Sequence, residues 1–580
     1  MQEPNSPIRK KRRRQQHPKR WRSIAGIVAA AATAIGIYLA FANRSTTSKL
    51  DIPAGANYLP ANTLVAVTLS TDQQRWQQLQ QLGTPQSRAV VTQELAKWQQ
   101  EFLTNYGLDF ERDVQPAIGS GGIAVAYLAT PVVPTASNKN SAKNLPIIVL
   151  PMNSDLMATQ FFAKTKAINN ALGKTVERTY QGVTLRESTA NNNTLVTAIV
   201  DRVALFSPSV QAIEQSIDAF KSGKTLAKSA GYQEAWGAIS MHQPLAQVYV
   251  NVPLAVAHHT SILAPDKLAQ LQQQQGLAAN ITIEENLIFS KGISWWQSPQ
   301  PTSLISSKNS PDFSQRLPEN TMMMISGSSL TQLWADYLPL ANQNPLAPVP
   351  PAAIVDGLKS STGLDLTTDI LAWSKNEFLL ALVPAQQPSQ NSLGGSLLLM
   401  FKPSDRSAAV ATFQKLDQAM ASRYQFQVAP ANTKNTDVVN WSSPIGGVNA
   451  THGWLADNLA FLALGTPVTD QFLPRPAAAL ANSKQFQQVM KSEISPYNGQ
   501  FFIDLDKMQQ SQRAALPQLA GTAQSILSGI KSIGLTSNAS SNTTNRFDLS
   551  VSLKQVATVT SPSPLINSTS VSPGSNSGAR

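Results

Sequence analysis

The stretch Leu59-Pro60-Ala61-Asn62-Thr63 returns as Leu317-Pro318-Glu319-Asn320-Thr321, an offset of 258 residues. Further matches follow in the same order. Gly107-Leu108-Asp109 with Asp113 returns as Gly363-Leu364-Asp365 with Asp369, at an offset of 256. Asp201-Arg202-Val203-Ala204-Leu205-Phe206 answers Asp457-Asn458-Leu459-Ala460-Phe461-Leu462, again at 256, and Gln247 to Val252 answers Gln500 to Leu505 at 253. A nearly constant offset predicts two tandem units, 57–297 and 316–555. The period lies far above the roughly 20–50 residues of solenoid repeats, so these are duplicated domains rather than an array. A chain of 580 residues with 42% hydrophobic content has length and apolar mass for two cores.

Within a unit the hydrophobic period switches between two and about 3.6. Thr63 to Ser70 is a β-branched strand. Ser87 to Tyr106 carries Val91, Leu95, Trp98 and Phe102 on one stripe, with Gly107 placed as a left-handed C-cap and Gly363 in the equivalent place. Ile123–Ala129 and Leu145–Leu150 form a hairpin, matched by 377–383 and 397–401. A helix after Asp155 presents Met157, Phe161, Ile168 and Leu172. Another from Ser209 presents Ile213, Ile217 and Phe220 before Gly223. Between them Leu195–Ser207 reads as a second hairpin, turning at Asp201-Arg202 as its counterpart turns at Asp457-Asn458. Strands that come in hairpins predict an α+β fold: two tandem duplicated domains with mainly antiparallel sheets and packed helices.

Outside the units the chain is of a different kind. Residues 23–42, SIAGIVAAAATAIGIYLAFA, form an uncharged apolar run; as a helix of about 1.5 Å rise per residue they span roughly 30 Å, the thickness of a bilayer core. Residues 1–22 are a basic arm, with nine Lys and Arg against Glu3 alone, so that of the net charge of +12 only +4 belongs to the rest. Positive flanks stay cytoplasmic, so this predicts a single-pass signal anchor with the body exported to the periplasm or thylakoid lumen. Ala40-Phe41-Ala42 has the form of a signal-peptidase site. The apolar run is longer and the leading basic region larger than a cleaved signal needs, which favours the anchor. Small residues at four-residue spacing, Gly26 with Ala30 and Ala32 with Gly36, arise easily in an alanine-rich segment and carry little. Residues 43–56 read as a tether, 298–315 as a Ser/Pro/Gln linker, and 556–580 as a disordered tail.

Catalytic signatures are sparse. No cysteine is present, which removes disulfides, thiolate nucleophiles and thiol-ligated zinc. His258-His259 is adjacent rather than at ligand spacing, and no cofactor or metal is expected. Gly119-Ser120-Gly121-Gly122 leads into a strand and lacks a P-loop lysine, so it reads as a turn. The acid pairs Asp109/Asp113 and Asp365/Asp369 would share a helix face and are the best carboxylate pairs for proton transfer; the competing reading is that Asp109 and Asp365 cap short helices. His242 and His452 read as exposed or hydrogen-bonded singles. Trp295, Trp296, Trp373, Trp441 and Trp454 could line a lipid or sugar groove, and core packing is the plainer role for most of them. Without a basic stripe in the body, nucleic acid is not an expected partner.

The run Gly107-Leu108-Asp109-Phe110-Glu111-Arg112-Asp113-Val114-Gln115-Pro116-Ala117-Ile118-Gly119, together with Leu59–Thr63, resembles a cyanobacterial family of functionally uncharacterised, single-pass membrane-anchored exported proteins. Ala117 stands where the family pattern leads one to expect tryptophan, and Trp373 supplies it in the second unit. The resemblance implies no catalytic residue. The chain is thus expected to be a non-enzymatic envelope protein that binds a protein partner or scaffolds an assembly. The alternatives are a carrier of lipid or another apolar ligand and, third, an unrecognised enzyme.

Overall fold

A computed structural model of the chain describes residues 52–102, 109–118, 122–129, 145–161, 163, 174–190, 193–258, 274–298, 312–341, 350–385, 395–444, 449–465, 467–510, 522–541 and 543–555. The basic arm, the apolar run 23–42, most of the tether and the tail 556–580 lie outside the described residues. Among the described residues no helix is long and apolar enough to cross a membrane.

The first ten strands are β1 (Thr63–Leu69), β2 (Ile123–Leu128), β3 (Leu145–Pro151), β4 (Lys174–Tyr180), β5 (Val183–Ala190), β6 (Asn193–Val200), β7 (Val203–Ser207), β8 (Ala246–Val250), β9 (Gln274–Glu284) and β10 (Leu287–Trp296). The next ten are β11 (Met323–Gly327), β12 (Phe378–Pro384), β13 (Gly395–Phe401), β14 (Gln427–Thr433), β15 (Thr436–Ser442), β16 (Asn449–Leu455), β17 (Leu459–Gly465), β18 (Gly499–Asp504), β19 (Ile530–Ser541) and β20 (Thr544–Leu553). Among the described residues all twenty pair antiparallel in one sheet. From one edge the order is β4, β5, β6, β7, β3, β2, β1, β8, β9, β10. It continues through β20, β19, β18, β11, β12, β13, β17, β16, β15 to β14 at the other edge. Each strand in from one edge therefore meets, at the same step from the other edge, the strand ten places later in the chain.

Period-two alternation builds two layers around each half. Ala124, Ala126, Ile147, Val149, Val203 and Leu205 face a core that holds Ile213, Ile217, Tyr232 and Trp236. The intervening Ile123, Val125, Ile148, Leu150, Ala204 and Phe206 face the opposite core with Val114, Ile118 and Phe161. The second half repeats this alternation. Leu379, Ala381, Leu398, Met400, Leu459 and Phe461 pack on Phe472, Phe486 and Phe502, while Phe378, Phe401, Ala460 and Leu462 face the other side toward Trp373, Phe413 and Trp441.

The returning LPxNT motif has a local cause. Thr63 Oγ1 donates to Pro60 O at 2.6 Å, and Thr321 Oγ1 donates to Pro318 O at 2.7 Å, closing a turn just before β1 and β11. The leucine carbonyl then accepts from a 3-10 turn far along the chain, Leu226 N to Leu59 O at 2.7 Å and Leu480 N to Leu317 O at 2.8 Å. The motif thus ties the entry of each half to its later helical turns.

The halves are joined edge to edge by β10 and β20, paired from Leu287↔Ser552 to Trp295↔Thr544. Across this seam one row of residues runs through eight strands: Thr68, Gln247, Asn280, Lys291, Asp548, Thr536, Gln500 and Ser326. Every member is polar. Burial pushes the Asp548 carboxyl above its ordinary value, opposed by donation from Ser492 Oγ at 2.7 Å and from the Glu493 N–H at 3.1 Å. Lys291 reaches the Glu493 carboxylate at 2.7 Å.

Several boundaries differ from the sequence reading. The helix expected over Ser87–Tyr106 spans Pro85–Phe102, Val91 is exposed, and Gly107 lies outside the described residues. Gly363 has φ +78 and caps the helix Pro351–Thr362 as expected. Of the helix after Asp155, Met157 is exposed and Phe161 buried; Ile168 and Leu172 lie outside the described residues. The linker's final residues fold rather than trail: Asp312 caps the turn Phe313–Gln315, and Phe313 is buried. Likewise the tether ends in packed chain, with Ala56 buried and its carbonyl accepting from Ala227 N.

Candidate functional site

The acid pairs sit on two π-helical turns, Phe110–Val114 and Leu366–Leu371. Asp109 Oδ1 accepts from Arg112 N at 2.8 Å, while Asp113 Oδ2 accepts from Asp109 N at 2.9 Å. Asp365 Oδ1 accepts from Thr367 N and Thr368 N, each at 3.0 Å, while Asp369 Oδ2 accepts from Asp365 N at 2.8 Å. Each pair is a reciprocal capping arrangement, in which the first carboxylate satisfies orphan amides of the turn and the second reaches back to the first residue's own amide. The remaining oxygens meet cations: Arg112 Nε at 2.9 Å from Asp113 Oδ1, and Lys415 Nζ at 2.7 Å from Asp369 Oδ1. Hydrogen bonding from Lys415 holds Asp369 below its ordinary pKa, and the Thr368 amide does the same for Asp365. Asp365 and Asp369 are therefore ionised at neutral pH. The geometry is that of a lock on the start of a turn.

His452, on β16, has Nε2 2.8 Å from Asp417 Oδ1, and Trp441 donates Nε1 to the same oxygen at 2.6 Å. Its ring stacks on Phe413 at 4.8 Å. The sequence gives no hint of this trio, because Asp417 lies on the helix Arg406–Tyr424 and meets the strands only in the folded chain. Trp295, Trp373 and Trp441 are buried, and Trp454 lies under Arg406 at 3.9 Å. His259 and Gly119–Gly121 lie outside the described residues. Among the described residues no group of three or more His, Asp and Glu side chains gathers as a metal site would require.

A cleft of about 740 Å³ opens where β1 leaves the sheet and turns into the helix Gln73–Gln81. Its walls include Thr68, Ser70, Asp72, Gln115, Gly122, Gln243 and Gln247. Of these the sequence singles out Gly122 alone, as part of a turn, since isolated glutamines and hydroxyls carry no motif. Asp72 caps the helix by accepting from Gln74 N at 3.0 Å, and its other oxygen is 3.3 Å from Arg75 Nε. Arg75 also donates to Gln243 Oε1 at 3.2 Å and to the Gln243 carbonyl, holding that residue in the left-handed region at φ +47. Behind the lining residue Gln247, Asn280 Nδ2 donates to Ile239 O at 2.7 Å and fixes the amide so that its Oδ1 accepts Gln247 Nε2 at 3.0 Å. Gly122, with φ +82, closes in on β1, where a Cβ would come within 3.0 Å of Leu69 O. Among the described lining residues the one charged group, Asp72, is thus paired with Arg75, and the cleft offers amides, hydroxyls and the apolar surface of Leu69, Pro116 and Pro244.

No curated protein matches the chain. Among solved structures, crystal form IV of TP0453 is similar to it at 10% identity over 43% of this chain and 81% of that one, with a TM-score of 0.21. Crystal form I of TP0453 gives 7% identity, 43% and 80% coverage and a TM-score of 0.21. Overlaps of that depth carry no argument about fold or function. The profile of the family described as protein of unknown function (DUF3352) matches residues 23–553, and the chain belongs to that family.

Proposed function

We propose that this is a non-enzymatic, single-pass membrane-anchored exported protein whose body arose by duplication and serves as a bivalent interaction scaffold in the periplasm or thylakoid lumen. Residues 23–42 are the anchor and residues 1–22 its cytoplasmic foot. The matched strand order and the matched LPxNT hydrogen bonds support the duplication.

The observation that carries the scaffold reading is the pair of sheet edges. Among the described residues β4 pairs only with β5, and β14 only with β15. Each edge therefore offers a backbone ladder to which a partner strand can add. The outward residues are accessible: Val176 on β4 is 48% exposed, and Asn432 on β14 is exposed. Because both edges belong to one continuous sheet, two partners bound there would be held at a fixed separation, which is what a scaffold does. The apolar-ligand reading is the alternative; the β1 cleft mixes amides and hydroxyls with Leu69, Pro116 and Pro244 and does not by itself favour it.

Photo-crosslinking side chains placed at Val176 and Asn432 in cells test this. Adducts with a common partner at both edges are expected, together with a C-terminal reporter active outside the cytosol. A reporter active in the cytosol, or edges that capture nothing while a control position on the same sheet does, overturns the proposal.

A further inference from the structure

From the geometry of the β1 cleft we infer a second property, independent of the anchor and the edges: the cleft is a binding site for a neutral oligosaccharide. Its volume of about 740 Å³ falls within the roughly 300–1,000 Å³ usual for small-molecule sites. Charge decides the ligand class first. Among the described residues the only charged one in the lining is Asp72, already paired with Arg75, so neither an anion nor a cation finds an uncompensated partner there.

Orientation decides it further. Arg75 occupies Gln243 Oε1 and so turns the amide's Nε2 outward as a donor, whereas Asn280 occupies Gln247 Nε2 and leaves Gln247 Oε1 as an acceptor. A fixed donor and a fixed acceptor in the lining, together with the hydroxyls of Thr68, Ser70 and Thr71, match the hydroxyl groups of a sugar, each of which both donates and accepts. Holding those amides in place beforehand removes the ordering cost that ordinarily weakens sugar binding. Pro116 and Pro244 supply apolar surface for the C–H faces of a pyranose ring.

A peptide fits less well, because strand addition needs an unpaired edge and β1 is paired on both sides, with β2 and β8. The corresponding corner of the second half is bridged by hydrogen bonds. Leu330 N and Thr331 N both donate to Ser374 O there, and Thr331 Oγ1 donates to Leu371 O at 2.7 Å. One site per chain is therefore expected.

The test is calorimetric titration of the full chain in mild detergent with cellotriose and with N,N′,N″-triacetylchitotriose. One of these neutral trisaccharides binds with a stoichiometry of one. Gln243→Leu and Gln247→Leu each weaken it by about tenfold, the loss of one oriented hydrogen bond, while Gln500→Leu, at the matching position of the bridged corner, leaves it unchanged. Thermal midpoints of all three variants identify any that fail to fold, and Thr68→Val then serves as the replacement. Absence of binding at millimolar trisaccharide, binding that the cleft variants do not weaken, or tighter cleft-dependent binding of an unstructured peptide overturns the assignment.

Discussion

Gly534→Ala places a single methyl group where the second half has no room for one. Gly534 lies on β19 opposite Phe502 and beneath the end of the helix Lys484–Val489. A Cβ there would stand 2.6 Å from the Val489 carbonyl carbon and 3.0 Å from Met490 Sδ, and closer still to the Val489 oxygen. Ordinary carbon contacts lie near 3.5–4.0 Å, so the helix must lift by about 1 Å from the sheet. Overpacking of this kind costs about 1–3 kcal/mol. Lifting the helix also loosens Phe486 and Val489, both buried in the second core. At about 2–4 °C per kcal/mol for units of this size, the thermal midpoint should fall by about 2–12 °C. The same chemical change at Gly357 is the control. That residue sits inside the helix Pro351–Thr362, and a Cβ added to it would meet nothing within 4 Å. Alanine there gains about 1 kcal/mol of helix propensity, a rise of about 2–4 °C. Thermal unfolding of the full chain in mild detergent, followed by circular dichroism, reads both. If the two variants shift the midpoint in the same direction, close packing of this helix on β19 is refuted.

Three further outcomes follow from the geometry. Asp365→Ala should lower the thermal midpoint through loss of a helix cap, and Asp113→Ala should cost about 1–3 kcal/mol because it strands the Asp109 amide; thermal midpoints unchanged in both would dissolve the capping account. Trp373→Ala should cost about 3–5 kcal/mol, since the indole is buried, donates to Asp369 O at 2.6 Å and to Thr412 Oγ1 at 3.0 Å, and meets Phe401 edge-on; a midpoint within a degree of the parent would show the ring is not structural. Asp548 is raised above its ordinary value of 3.8 by burial, so that between the ordinary and the raised value the folded chain binds more proton than the unfolded chain. Its contribution is full below that ordinary value and is lost as pH rises through the folded one. Asp548→Asn should accordingly gain on the parent in midpoint between pH 4 and pH 7, and a gap that narrows over that range contradicts burial as the cause.

The alternation in Ile123–Leu128 and Leu145–Leu150, the helix from Ser209 to its glycine cap and the tight turns at Asp201 and Asp457 were all legible along the chain, because each is set by a local period or a positive φ. The edge hairpins β4–β5 and β14–β15 were not. Their strands are polar and half exposed, as in Gln427–Thr433, so no apolar alternation marks them. The helix Arg406–Tyr424 was missed for a related reason, since alanines and long polar side chains blur its buried stripe. The acid pairs were visible as a spacing, and only hydrogen-bond geometry decided what that spacing does.

By itself the sequence determined the recurrence of one set of motifs at a nearly constant offset, the antiparallel mixture of strands and helices, and an apolar run behind a cationic arm, because periodicity, turn chemistry and charge are properties of neighbouring residues. Only the tertiary structure decided that the two halves share one sheet, that β10 meets β20 at its centre, and that Arg75 and Asn280 hold the cleft residues Gln243 and Gln247. Those residues lie up to 205 positions apart, from 75 to 280. Pairing at that distance is chosen by the joint burial of faces, and no local pattern encodes it.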